Sequence, residues 1–465
     1  MAALLDAKLA VARGVGALSR LHGGGATSMP GKVLMRLQPD AIAALGARLA
    51  KGSALISATN GKTTTAAMAA GILGEGELAV VHNRAGANMA GGIAATLLAA
   101  AGPRGRMAGD FGLFEVDELW LAAVARQLRP GAIVLGNLFR DQLDRYGELD
   151  TIADSWAELA TELPTQLILN ADDPMIADLG DGREALFFGV EDDSLARTGM
   201  AHAADAKHCR RCGAPYVFDA VYLGHLGRYH CPSCGHGRPT PHVIATDVRL
   251  EGVRAASFTL STPKAQARVT LALPGLYNVY NALAAAALGY TREIPLERIV
   301  AGLNATTPAF GRAETVRLKL PGAATPGERE LRILLVKNPA GANEVLRTLA
   351  LEPGEHDLLG VLNDQIADGR DVSWIWDADF ELLADRVRSV TCSGNRAADL
   401  AVRLKYAGID TARINVQSDL RTALDQAAAD GAQAGSTLYA LPTYTAMLAL
   451  RELLVARGEA GSAWA

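Results

Sequence analysis

The chain has 465 residues, which at about 150 residues per domain is enough for about three folding units. Apolar residues make up 49% and charged residues 20%, a balance that excludes an intrinsically disordered chain. The formal net charge of −5 excludes a global basic field of the kind that recruits nucleic acid. No apolar run reaches the roughly 20 residues of a membrane span and we find no secretory signal, so we expect a cytoplasmic protein.

The first half of the chain predicts a parallel β-sheet covered by helices on both faces. A helical pattern without strand signals fills the first 50 residues. Beyond it, short apolar runs alternate with helical segments such as 63–73, 119–128 and 151–163, a pattern typical of buried parallel strands. The predicted strands are residues 53–57, 78–81, 113–116, 132–135, 166–169 and 185–190.

Two changes in composition divide the rest of the chain. Residues 199–241 are rich in His, Arg, Cys and Gly and form a small predicted insertion, after which strand-like segments resume. The sequence PGAATPGERE at 321–330 is the best linker candidate, and a second set of alternating strands and helices follows it. We therefore expect one domain over residues 1–315, interrupted by the insertion, and a second α/β domain over residues 331–465.

The strongest local signal is SATNGKTTT, residues 57–65, between a predicted strand and a predicted helix. A turn at this place points backbone N–H groups and the positive end of the helix dipole at phosphate groups. Lys62 would then reach the β- and γ-phosphates of a nucleotide, and the hydroxyl of Thr63 would hold Mg²⁺. The strict GxxxxGK[ST] pattern fails because Ile56 occupies its first glycine position, so the loop alone leaves a chance match open.

Two CxxC pairs, CRRC and CPSC, predict a zinc ribbon inside the insertion. The stretch between them, residues 213–230, is 18 residues long, within the spacing typical of such ribbons. Four thiolates close a tetrahedral shell with no open position, so we expect a structural Zn²⁺ site. The predicted zinc ligands are Cys209, Cys212, Cys231 and Cys234. A site with three thiolates and one imidazole stays open, with three candidate histidines: His208, His230 and His236.

Three arginines of the ribbon, Arg210, Arg211 and Arg228, raise nucleic-acid binding as a second alternative. The acidic residues nearby and the net charge of the chain argue against it. We therefore expect no nucleic-acid partner.

Five further motifs follow the phosphate loop in a particular order. They are EVDE at 115–118, NLFRDQLDRYGE at 137–148, LNADDP at 169–174, LYNVYNALAA at 276–285 and GRAE at 311–314. As an ordered set with ATNGKTT they resemble the Mur ligase family, over roughly residues 53–314 outside the insertion. Members of that family are ATP-dependent ligases that join an amine to a carboxylate through an acyl phosphate.

A second set of motifs narrows the resemblance within that family. It comprises the two CxxC pairs, NRAGANM at 83–89, KNPAGAN at 337–343, LNDQIADGRDVSWIWD at 362–377 and PTYT at 442–445. These motifs are similar to those of the synthetase subunits of glutamine-dependent lipid II isoglutaminyl synthases, over nearly the whole chain. The resemblance implies amidation of the α-carboxylate of D-glutamate in the lipid II stem peptide to D-isoglutamine. It also implies a heterodimer with a GatD-type glutaminase subunit that supplies the ammonia.

The resemblance implies an α/β fold with two domains. The first is a Mur-ligase-like P-loop domain that carries the four-cysteine zinc ribbon, and the second is a Rossmann-like C-terminal domain that docks the glutaminase. Carried over residue by residue, the family pattern gives Lys62 a role in phosphate binding and catalysis. It makes Thr63 and Glu115 the magnesium ligands and places Asn137 near them.

The resemblance also implies a set of ATP-binding residues. Asn170 and Asp173 would contact the nucleoside, and Arg312 would contact ribose or phosphate. Taken one at a time, Asn170 and Asp173 also fit an ordinary turn, and Arg312 fits a surface ion pair. The full implied set is Thr59, Asn60, Gly61, Lys62, Thr63, Thr64, Asn170, Asp173 and Arg312.

Three features depart from ordinary Mur ligases. Only about 50 residues precede the phosphate loop, which is too few for a domain that holds a UDP-linked substrate and fits a lipid-carried one. Gln142 replaces the histidine of the DHLD element, which weakens or alters a second metal site. No lysine occurs between Lys62 and Lys207, so the carbamylated lysine of many Mur ligases cannot exist here.

Glutamine hydrolysis needs an activated cysteine with a histidine base and an acidic partner. Cys392, in VTCSGN, lacks the glycine of a GxCxG nucleophile elbow and ends an apolar run, so we expect it to be buried and inert. The resemblance implies that Asp371 completes the Cys–His pair of the partner subunit. The alternative is that Asp368 and Asp371 cap a helix near Ser373, and Asp364 and Asp368 are the other candidates for the role.

Two other classes of function stay open. The chain could be a stand-alone amide ligase similar to folylpolyglutamate synthase, or an ATP-binding scaffold without catalysis, for which Gln142 is the only indication. Peripheral contact with the inner face of the cell membrane, through the lipid substrate, also stays open.

Overall fold

The computed structural model describes residues 2–21, 28–83, 87–102, 106–140, 148–197, 204–307, 312–319, 328–430 and 436–461. These residues form a nine-stranded sheet, a six-stranded sheet and a two-stranded hairpin, each of the larger sheets with helices around it. Every helix within these ranges is too short or too polar to cross a bilayer.

Eleven strands belong to the first unit and its insertion. They are β1 (Ser53–Ser57), β2 (Val80–His82), β3 (Phe111–Glu115), β4 (Ala132–Leu135), β5 (Gln166–Asn170), β6 (Ala185–Val190), β7 (Val217–Leu223), β8 (Leu226–His230), β9 (Val243–Glu251), β10 (Ala255–Ser261) and β11 (Gln266–Leu271). The large sheet has the order β11-β10-β9-β6-β5-β4-β1-β3-β2, and its strands are parallel from β2 to β9. Strands β10 and β11 add antiparallel pairs at one edge.

Helices cover both faces of this sheet, as the sequence predicts. They are α1 (Ala2–Leu21), α2 (Met29–Leu37), α3 (Ala41–Gly46), α4 (Lys62–Glu75), α5 (Ala90–Ala100), α6 (Leu121–Leu128), α7 (Glu148–Glu162), α8 (Pro174–Ala177), α9 (Leu276–Thr291) and α10 (Leu296–Asn304). Helices α4, α9 and α10 share one apolar core, and the other helices share a second core on the opposite face. A Cβ on Gly31 would lie 1.8 Å from the carbonyl oxygen of Gly91, so glycine allows α2 to approach α5 closely.

Strand β2 begins two residues later than the prediction of 78–81. The chain leaves α4 through a turn in which Glu77 has a φ of 61° and the N–H of Leu78 bonds to the carbonyl of Leu73. The backbone therefore becomes extended only at Val80, where pairing with Phe111 starts.

The hairpin of β7 and β8 lies inside the predicted insertion. Strands β6 and β9, on either side of the insertion, pair directly as parallel neighbours, with Phe188 opposite Val243. The large sheet is therefore continuous without the inserted segment. Residues 198–203, at the predicted start of the insertion, lie outside the described residues.

The second unit is a six-stranded sheet with the order β12-β13-β17-β14-β15-β16. Its strands are β12 (Arg312–Lys319), β13 (Glu328–Leu334), β14 (His356–Val361), β15 (Val387–Ser393), β16 (Ile414–Val416) and β17 (Leu438–Pro442). Its helices are α11 (Pro339–Ala350), α12 (Ala397–Tyr406), α13 (Leu420–Ala429) and α14 (Tyr444–Ala456). All pairs are parallel except β12 with β13, which agrees with the expected Rossmann-like topology.

The start of the second unit differs from the expected boundary. Strand β12 pairs along its length with β13, so the expected boundary at residue 315 cuts through a strand of the second sheet. Of the predicted linker, residues 321–327 lie outside the described residues, and residues 328–330 already belong to β13.

Candidate functional site

The phosphate loop lies between β1 and α4, as predicted. Gly61 has a φ of 87°, and a Cβ there would lie 2.0 Å from Oδ1 of Asn281 on α9. Because the same Oδ1 accepts a hydrogen bond from the hydroxyl of Thr65, at 3.2 Å, α9 holds the first turn of α4 in place. The loop thus needs glycine both for its backbone angle and for its contact with the LYNVYNALAA motif.

The NLFR segment that starts at Asn137 fixes the loop from its other side. The side chain of Asn137 accepts from the N–H of Asn60, at 2.9 Å, and donates to the carbonyl of Asn60, at 3.0 Å. The hydroxyl of Thr59 accepts from the N–H of Phe139 and donates to its carbonyl, at 3.0 and 3.1 Å. These four bonds join two motifs of the sequence into one rigid element beside the helix N-terminus.

Lys62 is buried and paired with a carboxylate. Its ammonium lies 2.8 Å from Oε2 of Glu118 and also donates to the backbone carbonyl of Ala58. The side chains of Lys62 and Glu118 are 9% and 11% exposed, so little water screens this pair. A phosphate that recruits Lys62 competes with Glu118 for the same ammonium.

Glu115 ends β3 next to the loop, since Ile56 of β1 is its partner in the parallel pairing. Its Oε1 lies 3.4 Å from the amide nitrogen of Asn88, and its Oε2 is buried with no hydrogen-bond partner among the described residues. A buried carboxylate oxygen without a donor suits a hard cation such as Mg²⁺. Thr63, the other expected ligand, is half-buried in the first turn of α4. Gln142 lies outside the described residues.

Asn170 and Asp173 are buried beside the NLFR segment. Asn170 donates to the carbonyl of Gly136, at 2.9 Å, and accepts from the N–H of Asp172, at 3.0 Å. Asp173 caps α8 through Oδ1, and its Oδ2 accepts from the N–H of Leu138, at 2.9 Å. These are the contacts of an ordered turn, the alternative left open above, and contact with a nucleoside stays a prediction.

The C-terminal unit reaches the phosphate loop directly. Asn338, just before α11, donates to Oδ1 of Asn60 at 3.0 Å, while its own Oδ1 caps the helix at the N–H of Gly341. A second link joins Arg197 to Glu344 of α11, at 3.5 Å. Arg312 lies at the start of β12, and its side chain is outside the described part of the chain.

The four cysteines of the insertion converge, as the spacing predicts. Their sulfur atoms all lie within 4.8 Å of one another, with 3.7 Å between Cys209 and Cys234 and 3.4 Å between Cys212 and Cys231. A tetrahedral zinc site with Zn–S bonds of about 2.3 Å has sulfur–sulfur edges of about 3.8 Å, so the donor set fits Zn²⁺. Backbone N–H groups, that of Cys234 first, lower the pKa of Cys231 to about 6, which favours the thiolate that binds a metal.

The neighbouring histidines do not join the cluster of sulfur atoms. Within the part of the chain that the structure describes, the ligand atoms of the four cysteines converge without an imidazole nitrogen among them. His230 lies 3.2 Å from a carboxylate oxygen of Asp219, and Nε2 of His236 lies 3.6 Å from Asp178, without a hydrogen-bond partner among the described residues. The geometry therefore favours four thiolates over a site with an imidazole. Each ribbon arginine forms an ion pair with a carboxylate: Arg210 with Asp154, Arg211 with Asp178 and Asp181, and Arg228 with Asp193. These pairs give the arginines a structural role within the chain.

The three candidate carboxylates of the C-terminal unit have different surroundings. Asp368 is buried and accepts from the N–H of Thr445 at 2.7 Å, and Asp364 is bonded to Asn395. Asp371 is half-buried and accepts from the N–H of Ser373 at 2.8 Å. Hydrogen bonds from Ser373 hold the pKa of Asp371 below its usual value, so this carboxylate is ionised at neutral pH.

Three residues of the site are absent from the sequence prediction. Glu118 belongs to EVDE and Asn338 to KNPAGAN, so their motifs were visible, although nothing in them specified Lys62 or Asn60 as partners. His225, which is fully buried beside Asp173, lies in LGHLG and carries no motif signal.

Comparison with known proteins agrees with these features. The family described as Mur ligase middle domain matches residues 56–214, and MurT ligase C-terminal matches residues 335–447. Among solved structures, a pseudomurein peptide ligase type C from Methanothermus fervidus aligns with a TM-score of 0.66 and 24% identity, over 88% of this chain and 79% of that one. MurF from Acinetobacter baumannii aligns with a TM-score of 0.64 and 19% identity, over 92% and 80% of the two chains. At these identities the two structures show the fold alone.

Curated relatives match over nearly the full length. The lipid II isoglutaminyl synthase (glutamine-hydrolyzing) subunit MurT of Streptococcus pneumoniae is 31% identical over 442 residues, 95% of this chain and 94% of the relative. The subunit of the same name from Staphylococcus aureus is 31% identical over 457 residues, 95% and 96% of the two chains. The chain therefore belongs to the MurT family of the Mur ligases, which are ATP-dependent ligases.

Proposed function

We propose that this protein is the synthetase subunit of a lipid II isoglutaminyl synthase. In this reaction ATP drives amidation of the α-carboxylate of D-glutamate in the stem peptide, and D-isoglutamine is the product. Full-length similarity to the two MurT subunits supports the proposal. The lipid-carried substrate would bring the protein to the inner face of the cell membrane.

The single observation that carries the catalytic part is the buried, unpartnered Oε2 of Glu115 next to the phosphate loop. A buried carboxylate oxygen without a hydrogen-bond partner among the described residues is stabilised when it binds a cation. The loop beside it has a helix N-terminus and Lys62, which both favour phosphate. Glu115 and Thr63 would hold Mg²⁺, and the bound ion would neutralise negative charge on the phosphate groups.

The reaction has two steps. A carboxylate oxygen of the substrate attacks the γ-phosphorus of ATP and ADP leaves, which gives an acyl phosphate. Ammonia then attacks the acyl carbon, inorganic phosphate leaves, and the nitrogen loses a proton to solvent. Lys62 offsets negative charge on the transferred phosphoryl group, and the bonds from Asn137, Phe139 and Asn281 keep the loop in position for this.

Ammonia would come from a partner of the GatD type. The only cysteine outside the ribbon, Cys392, is fully buried, and burial raises its pKa to about 12, so it is unsuited to a nucleophile. Asp371 would orient the catalytic histidine of the partner across the interface. Five residues before and after Asp371 in the sequence, Ile366 and Trp376 are 82% and 52% exposed, and the docked subunit would cover them.

The ribbon would bind one Zn²⁺ through Cys209, Cys212, Cys231 and Cys234. Because four thiolates leave no open position, the metal would stabilise the insertion and take no part in chemistry.

An assay of ATP turnover tests the proposal. The protein is incubated with lipid II and ATP, with ammonium chloride or glutamine, in the presence and absence of a GatD-type glutaminase. We expect amidation from ammonium chloride without the partner, and amidation from glutamine only with it. Turnover with a free amino acid instead of ammonia would indicate a ligase of the folylpolyglutamate synthase type. No turnover under any of these conditions would leave an ATP-binding scaffold.

A further inference from the structure

We propose that the zinc ribbon positions the phosphate loop, and that His225, at the tip of the β7–β8 hairpin, is the positioning residue through which it acts. The inference rests on the proposed binding of ATP at the loop. It gives the ribbon a role beyond its own folding.

The hairpin tip is inserted into the first unit. His225 is fully buried, and its ring centroid lies 4.5 Å from that of Phe139. Gly224, with a φ of 59°, precedes it, and a Cβ at Gly224 would lie 2.8 Å from Phe139. Glycine therefore permits both the turn and the close approach to the NLFR segment.

The polar edges of His225 face two carboxylate-bearing residues. Its Nε2 lies 3.4 Å from Oδ2 of Asp173, the oxygen that accepts the N–H of Leu138. Its Nδ1 accepts from the N–H of Asp205 at 3.4 Å, and the carboxylate of Asp205 in turn accepts the N–H of Arg140 at 2.9 Å. Burial lowers the pKa of His225, but the carboxylates of Asp173 and Asp205 raise it more, so the net pKa lies above its usual value.

These contacts are made on both sides of Phe139, the residue that bonds to the phosphate loop. Asp173 and Asp205 bind the backbone N–H groups of Leu138 and Arg140, and His225 packs on Phe139 between them. Phe139 makes both backbone hydrogen bonds to the hydroxyl of Thr59. The hairpin tip therefore fixes the NLFR segment, and the NLFR segment in turn fixes the phosphate loop.

The other end of the hairpin carries the cysteine cluster. Strand β8, five residues long, separates His225 from Cys231 and spans about 17 Å. Tyr216 and Tyr229 pack edge to face at 5.0 Å, next to the two buried cysteines in a small apolar cluster. A two-stranded hairpin with so small a core is marginal alone, so a bound metal would fix β8, the strand that follows His225.

The first experiment measures ATP affinity as zinc is removed and restored, without lipid II. The full-length protein is treated with a chelator and then titrated with Zn²⁺, while Kd for ATP and zinc content are followed. We expect Kd to rise about ten-fold without zinc and to recover with one equivalent. Unchanged affinity in the zinc-free protein would overturn the proposal, and this arm needs no variant.

The second experiment tests whether the ribbon affects ATP binding through His225. His225→Ala should bind one zinc, unfold as cooperatively as the wild type, and show a Kd for ATP raised about ten-fold that Zn²⁺ does not restore. The matched control is His242→Ala, because His242 is an exposed histidine outside the hairpin whose ring stacks on that of Phe187. Its affinity for ATP should stay within about two-fold of the wild type.

A double variant tests whether the zinc site and His225 affect ATP binding through the same contacts or independently of each other. Cys231→Ser combined with His225→Ala should weaken ATP binding no more than the stronger single variant. Additive losses would overturn the proposal. Lys62→Ala is the reference: if it binds ATP normally, the proposed function fails, whereas a loss in Lys62→Ala with normal binding in His225→Ala removes only this inference.

Discussion

The phosphate loop and the Asp371 segment both carry charged groups to which the proposed function assigns a role in catalysis, but these groups have opposite surroundings. Around the loop, Lys62 and Glu115 are buried and each element is bonded to another motif of the same chain. Around Asp371, the carboxylate is bonded to Ser373, two residues away, and Ile366, five residues earlier in the sequence, is 82% exposed. Under the proposed function this difference is expected, because the phosphate site would be built by this chain alone while the Asp371 carboxylate would act on a partner's histidine.

The largest expected effect is that of Lys62→Ala. We expect loss of both ammonia-driven and glutamine-driven amidation by about 1,000-fold, because the phosphoryl group loses its main positive charge. Steady-state rates with each nitrogen source measure this effect. Activity near wild type by either route would contradict the phosphate role of Lys62, and Lys51→Ala, an exposed lysine paired with Asp110, is the control.

Asp371→Ala should separate the two sites. We expect the glutamine-driven rate to fall about 1,000-fold while the ammonia-driven rate stays within about two-fold, since only the partner's histidine loses its orienting group. Asp364→Ala serves as the matched control, because this carboxylate lies in the same segment and is bonded to Asn395. If both rates fall together in Asp371→Ala, the residue serves the synthetase or the fold instead.

Asn338→Ala should weaken the link between the second unit and the phosphate loop. The change removes the amide contact with Asn60 and the cap of α11, and we expect about a ten-fold lower turnover. Asn338→Asp keeps an acceptor for the cap and for the amide nitrogen of Asn60, but it loses the donor to Asn60, so it isolates that one hydrogen bond. Normal turnover in Asn338→Asp would show that this hydrogen bond does not matter for catalysis.

Glu118→Gln should have the smallest effect. The change removes the negative charge that competes with phosphate for Lys62 but keeps a hydrogen-bond acceptor, so we expect ATP to bind about three-fold more tightly. Titration with ATP in the absence of lipid II measures this change. Weaker binding would indicate that Glu118 itself contributes to the bound Mg²⁺ or nucleotide.

Local patterns predicted most of the fold. Strands 132–135 and 185–190 begin and end where the apolar runs do, because buried parallel strands are continuous apolar segments. The cysteine cluster was predicted equally well, because the CxxC spacing specifies its own geometry. Strand β12 was missed, since its buried positions, Val316 and Leu318, alternate with exposed polar residues at a sheet edge.

Long-range pairs could not be predicted. Lys62 and Glu118 are 56 residues apart, and Asn60 and Asn338 are 278 apart, so only the packing of whole elements brings them together. His225 has no motif, and its burial depends on how the hairpin docks on the large sheet. The sequence motifs therefore predicted the chemistry that we propose for the site, while the residues that position the phosphate loop required the structure.

Transfer of oxygen from substrate to phosphate tests the central claim most directly. The α-carboxylate of the D-glutamate residue is labelled with ¹⁸O, and the inorganic phosphate formed during ammonia-driven amidation is analysed by mass spectrometry. Activation by way of an acyl phosphate at the loop around Lys62 predicts one ¹⁸O atom in each phosphate released. Amidation accompanied by unlabelled phosphate would contradict the account.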